Sequence, residues 1–179
     1  MIKKVNLSDG RQLIIRDAVY SDAAAMHNLF NETSKESNNL PFGEGEFGKS
    51  VEDVEKHIEG CIKKDNAIYI VAEVDNEIIG YLSFEGGWRK RSRHVGEFGI
   101  AIRKTFWGLG IGSILIQYLI DWAKQSKIIT KINLTVVCDN TSAVKLYEKL
   151  GFKHEGRITR ASLINGVYRD IYYMGMEID

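Results

Sequence analysis

The sequence predicts a mixed α/β domain, with a mostly antiparallel sheet that contains one parallel crossover and carries helices on both faces. Hairpin signals occur in both halves of the chain, and a hairpin pairs its strands antiparallel. One strand–helix–strand–helix series lies between the hairpins, and such a crossover makes its two strands parallel. With 179 residues, of which 44% are hydrophobic, the chain can bury a sizeable core. We therefore expect residues 1–179 to form a single domain.

The first half of the chain is predicted to alternate hairpins with helices. Turn residues between β-prone runs indicate a hairpin, and a capping residue before apolar residues at helical spacing indicates a helix. The predicted elements are, in order, a hairpin over residues 4–15, a helix capped by Ser21, a helix over residues 51–63 and a hairpin over residues 67–84. Between the two helices, residues 31–50 lack periodicity and contain the only proline. This stretch is either a substrate-binding loop or a solvated connector.

A basic loop and an apolar strand lead into a glycine-rich turn. Residues 86–94 contain four Lys or Arg residues and form either a solvated hairpin tip or a contact surface for a nucleotide phosphate or an acidic partner. The strand at residues 95–102 has one charged residue, Glu97. Three glycines then occupy alternate positions, at Gly108, Gly110 and Gly112. Apolar residues at helical spacing after Gly112 predict a long amphipathic helix.

The glycine turn predicts an anion-binding site. Glycines between a strand and a helix let several backbone N–H groups point at one anion, and the helix dipole adds to the attraction. The turn lacks the lysine of a nucleoside triphosphatase P-loop, since Gly112 precedes Ser113 and Ile114. A dinucleotide-binding fold would need a glycine at position 113 and more crossover units. Glycines that only permit close helix–strand packing remain an alternative.

A strand, a short helix and a final hairpin complete the chain. The strand covers residues 131–138, and Asp139, Asn140 and Thr141 offer caps for the helix, which Gly151 closes. The apolar face of this helix consists of Ala143, Leu146, Tyr147 and Leu150. Residues 157–177 form two predicted strands separated by Asn165 and Gly166, the strongest short hairpin signal.

The glycine turn is followed along the chain by Asn140, Ala143 and residues 146–152. The two motifs, in this order and at this separation, resemble those of the GNAT superfamily of acetyl-CoA-dependent N-acetyltransferases. The likeness extends from about residue 71 to the end of the chain. In that family the diphosphate motif is Arg or Gln, two residues, Gly, one residue, and Gly or Ala. These positions are Trp107, Gly110 and Gly112 in this sequence. Trp107 departs from the commonest residue, but the family's phosphate contacts are mostly to backbone N–H groups, so the anion site should survive the change.

The resemblance also implies a role for each matching residue. The backbone of Ile100, Ala101 and Ile102 would pair with the pantetheine arm and offer an N–H to the oxyanion. Tyr147 would face the thiolate; it should donate a hydrogen bond before a proton, because proton transfer from a phenol to a thiolate is uphill by roughly 2 kcal/mol. A core tyrosine is compatible with this role. The implied cofactor-binding residues are Ile100, Ala101, Ile102, Trp107, Gly108, Leu109, Gly110, Ile111, Gly112, Ser113, Asn140 and Tyr147.

Glu97 is the candidate catalytic base, and Tyr147 the candidate donor to the leaving group. Glu97 is the only charge on its strand, where an ionised carboxylate needs polar surroundings. A structural glutamate at a sheet edge or in a salt bridge is the alternative. In the branch that acetylates ribosomal N-terminal alanines, the base is a glutamate five residues before the asparagine. That position is Thr135 here, so a water chain from Glu97, or from the backbone, is the expected proton route.

Composition limits the class of partner. Lys plus Arg and Asp plus Glu both number 24, and a formal net charge of +0 argues against a dedicated nucleic-acid binder. Cys61 and Cys138 match no metal spacing, so we expect no metal and two buried, reduced thiols, with a disulfide as the alternative. No apolar run approaches the ~20 residues of a membrane span, and residues 1–6 lack the apolar region of a signal peptide. A cytoplasmic protein without a membrane partner is expected.

The sequence therefore predicts an enzyme that moves an acetyl group from acetyl-CoA to a primary amine of a small molecule by direct attack in a ternary complex. Residues 91–99 and 165–170 are similar to a bacterial branch associated with amino-acid and antibiotic substrates. The alternatives are a protein N-terminal acetyltransferase and a non-catalytic acyl-CoA-binding module, with a nicotinamide oxidoreductase a distant third. The resemblance also allows a homodimer, since family members often pair through their C-terminal strands.

Overall fold

Among residues 2–179, which the computed structural model describes, there are eight strands and four α-helices. The strands are β1 (Ile2–Asn6), β2 (Gln12–Asp17), β3 (Ala67–Val74), β4 (Glu77–Gly86), β5 (Val95–Ile102), β6 (Lys131–Val137), β7 (Lys153–Ile164) and β8 (Val167–Glu177). The helices are α1 (Ala23–Glu36), α2 (Val51–Ile62), α3 (Ile111–Ser126) and α4 (Thr141–Leu150). No helix in residues 2–179 has the length and apolar character needed to cross a membrane.

The strands form one sheet in the order β1-β2-β3-β4-β5-β6-β8-β7. Every neighbouring pair is antiparallel except β5 and β6, which are parallel, so the predicted fold class is confirmed. The parallel pairing lasts for only three residues and ends at Glu97 and Asn133. Beyond that point β5 continues against β4 alone and β6 against β8 alone. The two central strands therefore diverge and leave an opening between them.

Helices cover the sheet on two faces, each with its own apolar core. Residues of α3 and α4 pack on one face, together with Phe98, Ile100 and Ile102 of β5. Residues of α1 and α2 pack on the other face, together with Ala101 of β5. Because side chains alternate along a strand, Glu97 and Gly99 share the α1/α2 face with Ala101. Side chains of β5 therefore alternate between the two faces of the sheet.

The predicted tight turns are also confirmed by their backbone. Asp75 and Asn76 between β3 and β4 have φ values of 51° and 65°, and Asn165 and Gly166 between β7 and β8 have 51° and 77°. Positive φ at both central residues is the requirement of a type I′ turn, whose twist matches that of the flanking strands. Local turn chemistry therefore set both hairpins.

Helix α1 differs from its prediction at both ends. It extends to Glu36, so the irregular segment begins at residue 37 instead of 31. The hydroxyl of Thr33 donates to the Leu29 carbonyl at 2.8 Å and that of Ser34 donates to the Asn31 carbonyl at 2.7 Å, so these polar side chains are satisfied within the helix. Asp22, not Ser21, precedes α1, because residues 20–22 already form a 3-10 turn.

Two smaller predictions need correction. Strand β7 begins at Lys153, four residues before the predicted start, because irregular pairing after His154 lets the strand continue through a bulge. Cys61 is buried as expected, but Cys138 is only half-buried. Both thiols are free.

Candidate active site

The glycine turn after β5 keeps a set of backbone N–H groups unpaired. Gly108 and Gly110 both have φ of +79°, a left-handed conformation that other residues adopt rarely, and Gly110 is the cap of α3. A Cβ at either glycine would have no atom within 4 Å, so the space over the turn is open. Within residues 2–179, no amide of residues 108–113 donates to a backbone carbonyl, and no side chain caps the helix. The turn can therefore bind an anion of diphosphate size.

Trp107, at the position where Arg or Gln is commonest, links this turn to β5. Its indole Nε1 donates to the carbonyl of Ile102 at 2.8 Å, which ties the turn to the last residue of β5. The side chain is half-exposed, and the Lys104 ammonium lies 6.0 Å from the ring centroid. A polar atom that already has a partner is not free to reach an anion. Trp107 therefore ties the turn to β5, and the groups of the turn that are left to face an anion are backbone N–H groups.

We expect the Trp107→Phe variant to raise the Kd for CoA about fivefold, since one neutral hydrogen bond contributes about 1 kcal/mol. The kcat at saturating acetyl-CoA should change little, because the reacting atoms lie elsewhere. Calorimetric titration with CoA and steady-state kinetics measure the two quantities. The matched control is Trp88→Phe, at a tryptophan that is 83% exposed on the basic loop. Equal losses of affinity in both variants would contradict the role of Trp107 in holding the glycine turn.

Tyr147 lies beside the opening between β5 and β6. It is 8% exposed on α4, and its ring packs against Phe98, the first β5 residue past the parallel pairing, with centroids 6.0 Å apart. Phe152 makes a second edge contact, also at 6.0 Å. Burial raises the pKa of Tyr147 to about 12, because the phenolate is poorly solvated there. The hydroxyl is therefore protonated near neutral pH and can act only as a donor to developing negative charge.

Asn140 stands at the far end of β6 and caps α4. Its Oδ1 accepts from the backbone N–H of Ala143 at 3.4 Å and from the hydroxyl of Ser142 at 3.2 Å. Both contacts use the amide oxygen. The amide N–H groups remain available to a ligand lying in the opening between the strands.

Glu97 is held at the start of the opening by side chains from two other strands. Thr135 on β6 donates to one carboxylate oxygen at 3.0 Å, and Tyr173 on β8 donates to the other at 3.2 Å. Thr135 and Tyr173 are register partners, which places their side chains next to each other. The negative charge of Glu97 is the main cause that raises the pKa of Tyr173. Glu97 therefore has the polar surroundings expected of an ionised carboxylate.

A cavity of about 170 Å³ opens on the α1/α2 face. Its lining residues come from α1, the loop before α2, α2 itself, β3 and β4, and they are Phe30, Phe42, Phe47, Lys49, Asp53, Val54, His57, Tyr69, Tyr81 and Ser83. The ring of Phe30 stacks on Phe47 with centroids 4.5 Å apart and meets Tyr81 edge-on at 4.8 Å. Phe42 and Phe47 pack against the apolar core on the α1/α2 face, so the loop of residues 37–50 is not a solvated connector.

The cavity borders the strand that carries Glu97. Ser83 of β4 pairs with Gly99 of β5, two residues from Glu97 on the same face. A Cβ at Gly99 would lie 3.8 Å from the Tyr81 hydroxyl and 3.9 Å from the Ser83 hydroxyl. Since Gly99 has no side chain, a molecule seated between the aromatic rings can extend over this residue toward the carboxylate.

A model of the acetyltransferase (GNAT) family matches residues 24–152. The chain belongs to this family. An L-amino acid N-acetyltransferase of Escherichia coli is 36% identical over 105 residues, which are 59% of this chain and 65% of that protein. The structure of a GNAT acetyltransferase from Streptococcus pneumoniae matches with a TM-score of 0.90 at 34% identity. The match covers 93% of this chain and 99% of that chain. The protein is therefore an acyltransferase, as the sequence predicts.

One further structure shows the same fold with its ligand. The Salmonella typhimurium acetyltransferase yncA, solved with its cofactor acetyl-CoA, has a TM-score of 0.81 at 21% identity. It covers 93% of this chain and 94% of its own. Membership in the GNAT family makes the nicotinamide oxidoreductase alternative wrong.

The basic loop of this GNAT chain lies away from the glycine turn. It precedes β5, whereas the turn follows β5, so the eight-residue strand separates them by roughly 26 Å. Arg93 in this loop pairs with Asp65 at 2.7 Å, and the Asn66 side chain donates to the carbonyls of Gly87 and Arg93. Internal contacts thus hold the loop, and its distance from the turn disfavours contact with a nucleotide bound there.

Proposed function

We propose that this GNAT enzyme transfers the acetyl group of acetyl-CoA to the primary amine of a small molecule with an apolar side chain and a carboxylate, as in an amino acid. One observation carries the proposal: the carboxylate of Glu97, oriented by Thr135 and Tyr173, lies at the start of the opening of the sheet, on the strand that borders an aromatic cavity. A base placed between two binding regions suits a direct transfer from one bound molecule to another. We treat residues 1–179 as one N-acetyltransferase domain.

The unpaired amides of the glycine turn support acetyl-CoA as the donor. The N–H groups of residues 108–113 and the N-terminus of α3 would hold the diphosphate, and the backbone of residues 100–102 would pair with the pantetheine arm along the side that β6 leaves open. Asn140 would donate to the same arm. Bound acetyl-CoA supplies the thioester carbonyl that the amine attacks. The Salmonella typhimurium protein with the same fold holds acetyl-CoA, which is consistent with this assignment.

Three groups of this chain would each serve one part of the reaction. Glu97 would accept the proton of the incoming amine, directly or through a water, while Thr135 and Tyr173 keep its carboxylate in place. A backbone N–H of residues 100–102 would stabilise the oxyanion. Tyr147, with a pKa of about 12, would donate a hydrogen bond to the departing sulfur. These three roles would fall to residues of this chain.

The lining of the cavity supports an amino acid as the acceptor. Five aromatic rings can enclose an apolar side chain. Among its lining residues Lys49 is basic and Asp53 is acidic, and the Asp53 carboxylate accepts the backbone N–H of Ser50 at the start of α2. The ammonium of Lys49 has no ion-pair partner in the described part of the chain and can meet a carboxylate of the acceptor. An L-amino acid is also the substrate named for the Escherichia coli relative.

Thiol release from acetyl-CoA tests the acceptor against a panel of amino acids, the corresponding amines without a carboxylate, polyamines and short peptides. We expect aromatic and aliphatic amino acids to give the highest kcat/KM. The Lys49→Met variant should raise their KM about tenfold, the effect of one charge-assisted hydrogen bond, and should not change the KM of the carboxylate-free amines.

The matched control is Lys63→Met, at an exposed lysine just beyond α2 that pairs with Glu59. Thiol release confined to peptides would favour a protein N-terminal acetyltransferase. No release above hydrolysis with any amine, in a protein that binds CoA, would favour a non-catalytic acyl-CoA-binding module.

We further propose a homodimer through the β7–β8 hairpin. This hairpin forms one edge of the sheet and has four large apolar side chains that are about half-exposed or more, namely Ile158, Leu163, Val167 and Tyr168. Exposed apolar side chains on an edge hairpin favour association with a second copy. Light scattering after gel filtration should give twice the chain mass, and Leu163→Lys should give one chain mass. Ile62→Lys, at an exposed apolar residue that ends α2, is the control and should leave the mass unchanged.

A further inference from the structure

Three potential metal ligands meet where α2 lies over the end of β4. His57 and Cys61 are four residues apart on α2 and share one face of the helix, and Glu85 lies on β4. Their ligand atoms all lie within 4.8 Å of one another, and the Sγ of Cys61 is 3.9 Å from the Nε2 of His57. The sequence predicts no metal because its cysteines lack a metal spacing. The cluster instead joins residues from two elements.

We propose that His57, Cys61 and Glu85 form a site for a divalent transition-metal ion, with Zn²⁺ the best match. One nitrogen, one sulfur and one oxygen ligand suit zinc, whereas Mg²⁺ and Ca²⁺ prefer oxygen alone. Nitrogen and sulfur atoms bound to one tetrahedral zinc are ~3.5 Å apart, given their bond lengths. The observed 3.9 Å between Cys61 and His57 therefore requires only small side-chain rotations.

The Glu85 carboxylate supplies the negative charge of the cluster. Metal binding displaces the proton of the Cys61 thiol, which is released to solvent. Lys64 forms an ion pair with one oxygen of Glu85 and leaves the second oxygen to the metal. Lys49 and Tyr69 are the other polar groups that face the cluster.

The site is coupled to the acceptor cavity through His57. This residue lines the cavity, and its ring contacts Tyr69, another lining residue, at a centroid distance of 5.3 Å. Three protein ligands leave a fourth position on zinc for water or for a carboxylate of the acceptor. Zn²⁺ should therefore change the KM of the acceptor and leave the Kd of CoA unchanged, since the glycine turn follows the opposite end of β5. This consequence rests on the proposed function, but metal binding itself does not.

Titration of metal-free protein with Co²⁺ tests the site directly. We expect one Co²⁺ per chain, with the visible bands of a tetrahedral ion and a thiolate-to-cobalt charge-transfer band, all displaced by Zn²⁺. Cys61→Ser should abolish the charge-transfer band, and Glu85→Gln, at an exposed position, should weaken binding at least tenfold without affecting folding. Cys138→Ser is the control for the second thiol and should retain the full spectrum. Circular dichroism shows whether each variant is folded.

A charge-transfer band that survives Cys61→Ser or disappears in Cys138→Ser would overturn the proposal, as would weak octahedral bands alone. The acceptor kinetics are followed by mass spectrometry of the acetylated product, because Zn²⁺ also binds the CoA thiol. An acceptor KM that changes with Zn²⁺ in the wild type and not in Cys61→Ser supports the coupling. Metal binding at Cys61 with an unchanged KM would overturn the coupling and count against the proposed acceptor cavity, while leaving the metal site established.

Discussion

Replacing Tyr147 with phenylalanine should lower kcat about 100-fold, the lower end of the range for a positioned proton or hydrogen-bond donor. The Kd of CoA should change less than about twofold, because the diphosphate contacts lie at the glycine turn. The phenylalanine keeps the packing against Phe98 and Phe152, so the free energy of unfolding should change little. Single-turnover kinetics and calorimetric titration with CoA measure the two quantities separately.

The pKa of Tyr147 adds a second expectation. Because burial raises it to about 12, the hydroxyl stays protonated around neutral pH, and the kcat of the wild type should show no descending limb from its ionisation there. Tyr172→Phe is the matched control, at a tyrosine of β8 that packs against the same core. An unchanged kcat in Tyr147→Phe would make Tyr147 a core residue only. Equal losses in both variants would point to packing in place of catalysis.

Local turn chemistry accounts for the parts of the fold that the sequence predicts well. A type I′ turn needs positive φ at two adjacent residues, and Asn165 with Gly166 satisfies this wherever the hairpin lies in the molecule. The same holds for Gly108 and Gly110, whose left-handed backbone forms the candidate anion site. These features depend on a few neighbouring residues, so they can be identified without knowledge of the tertiary structure.

The surroundings of Glu97 could not be predicted in this way. Thr135 is 38 residues and Tyr173 is 76 residues from Glu97, and only the register of β6 against β5 and β8 brings them together. The sequence around each of these residues, taken alone, shows only an ordinary strand pattern. Thr135 even occupies the position where one branch of the family has its base, and here it supports the glutamate of a neighbouring strand instead. Long-range strand register is the information that a single sequence lacks.

The aromatic cavity escaped prediction for a similar reason. Phe30, Tyr69 and Tyr81 each lie on a regular element where an apolar residue predicts core packing. The loop of residues 37–50 supplies Phe42 and Phe47, which close the cavity only because the loop folds back over α1. An alternating or helical pattern identifies a buried face, but it does not reveal that neighbouring elements leave a space between them.

Replacing Glu97 with glutamine should lower kcat/KM about 100-fold, since the amide keeps the shape of the carboxylate but cannot accept a proton. Tyr173→Phe and Thr135→Val should each cost about tenfold, because each removes one hydrogen bond to a charged group. Glu155→Gln is the matched control, at a glutamate of β7 that pairs with Lys131. A loss in the control as large as that in Glu97→Gln would assign the effect to the charge of this sheet face in general.

A double variant that combines Glu97→Gln with Tyr173→Phe separates the orienting role of Tyr173 from the catalytic role of Glu97. If Tyr173 acts only through Glu97, adding Tyr173→Phe to Glu97→Gln should cause little further loss of kcat/KM, so the two effects should be far from additive. The pKa of Tyr173 gives an independent readout. Because the negative charge of Glu97 is the main cause that raises this pKa, Glu97→Gln should lower it, and ultraviolet titration of the tyrosinate can follow the change. Additive losses, or a Tyr173 pKa that does not fall in Glu97→Gln, would mean that the two side chains act independently and that Glu97 lacks the support on which its role as base depends.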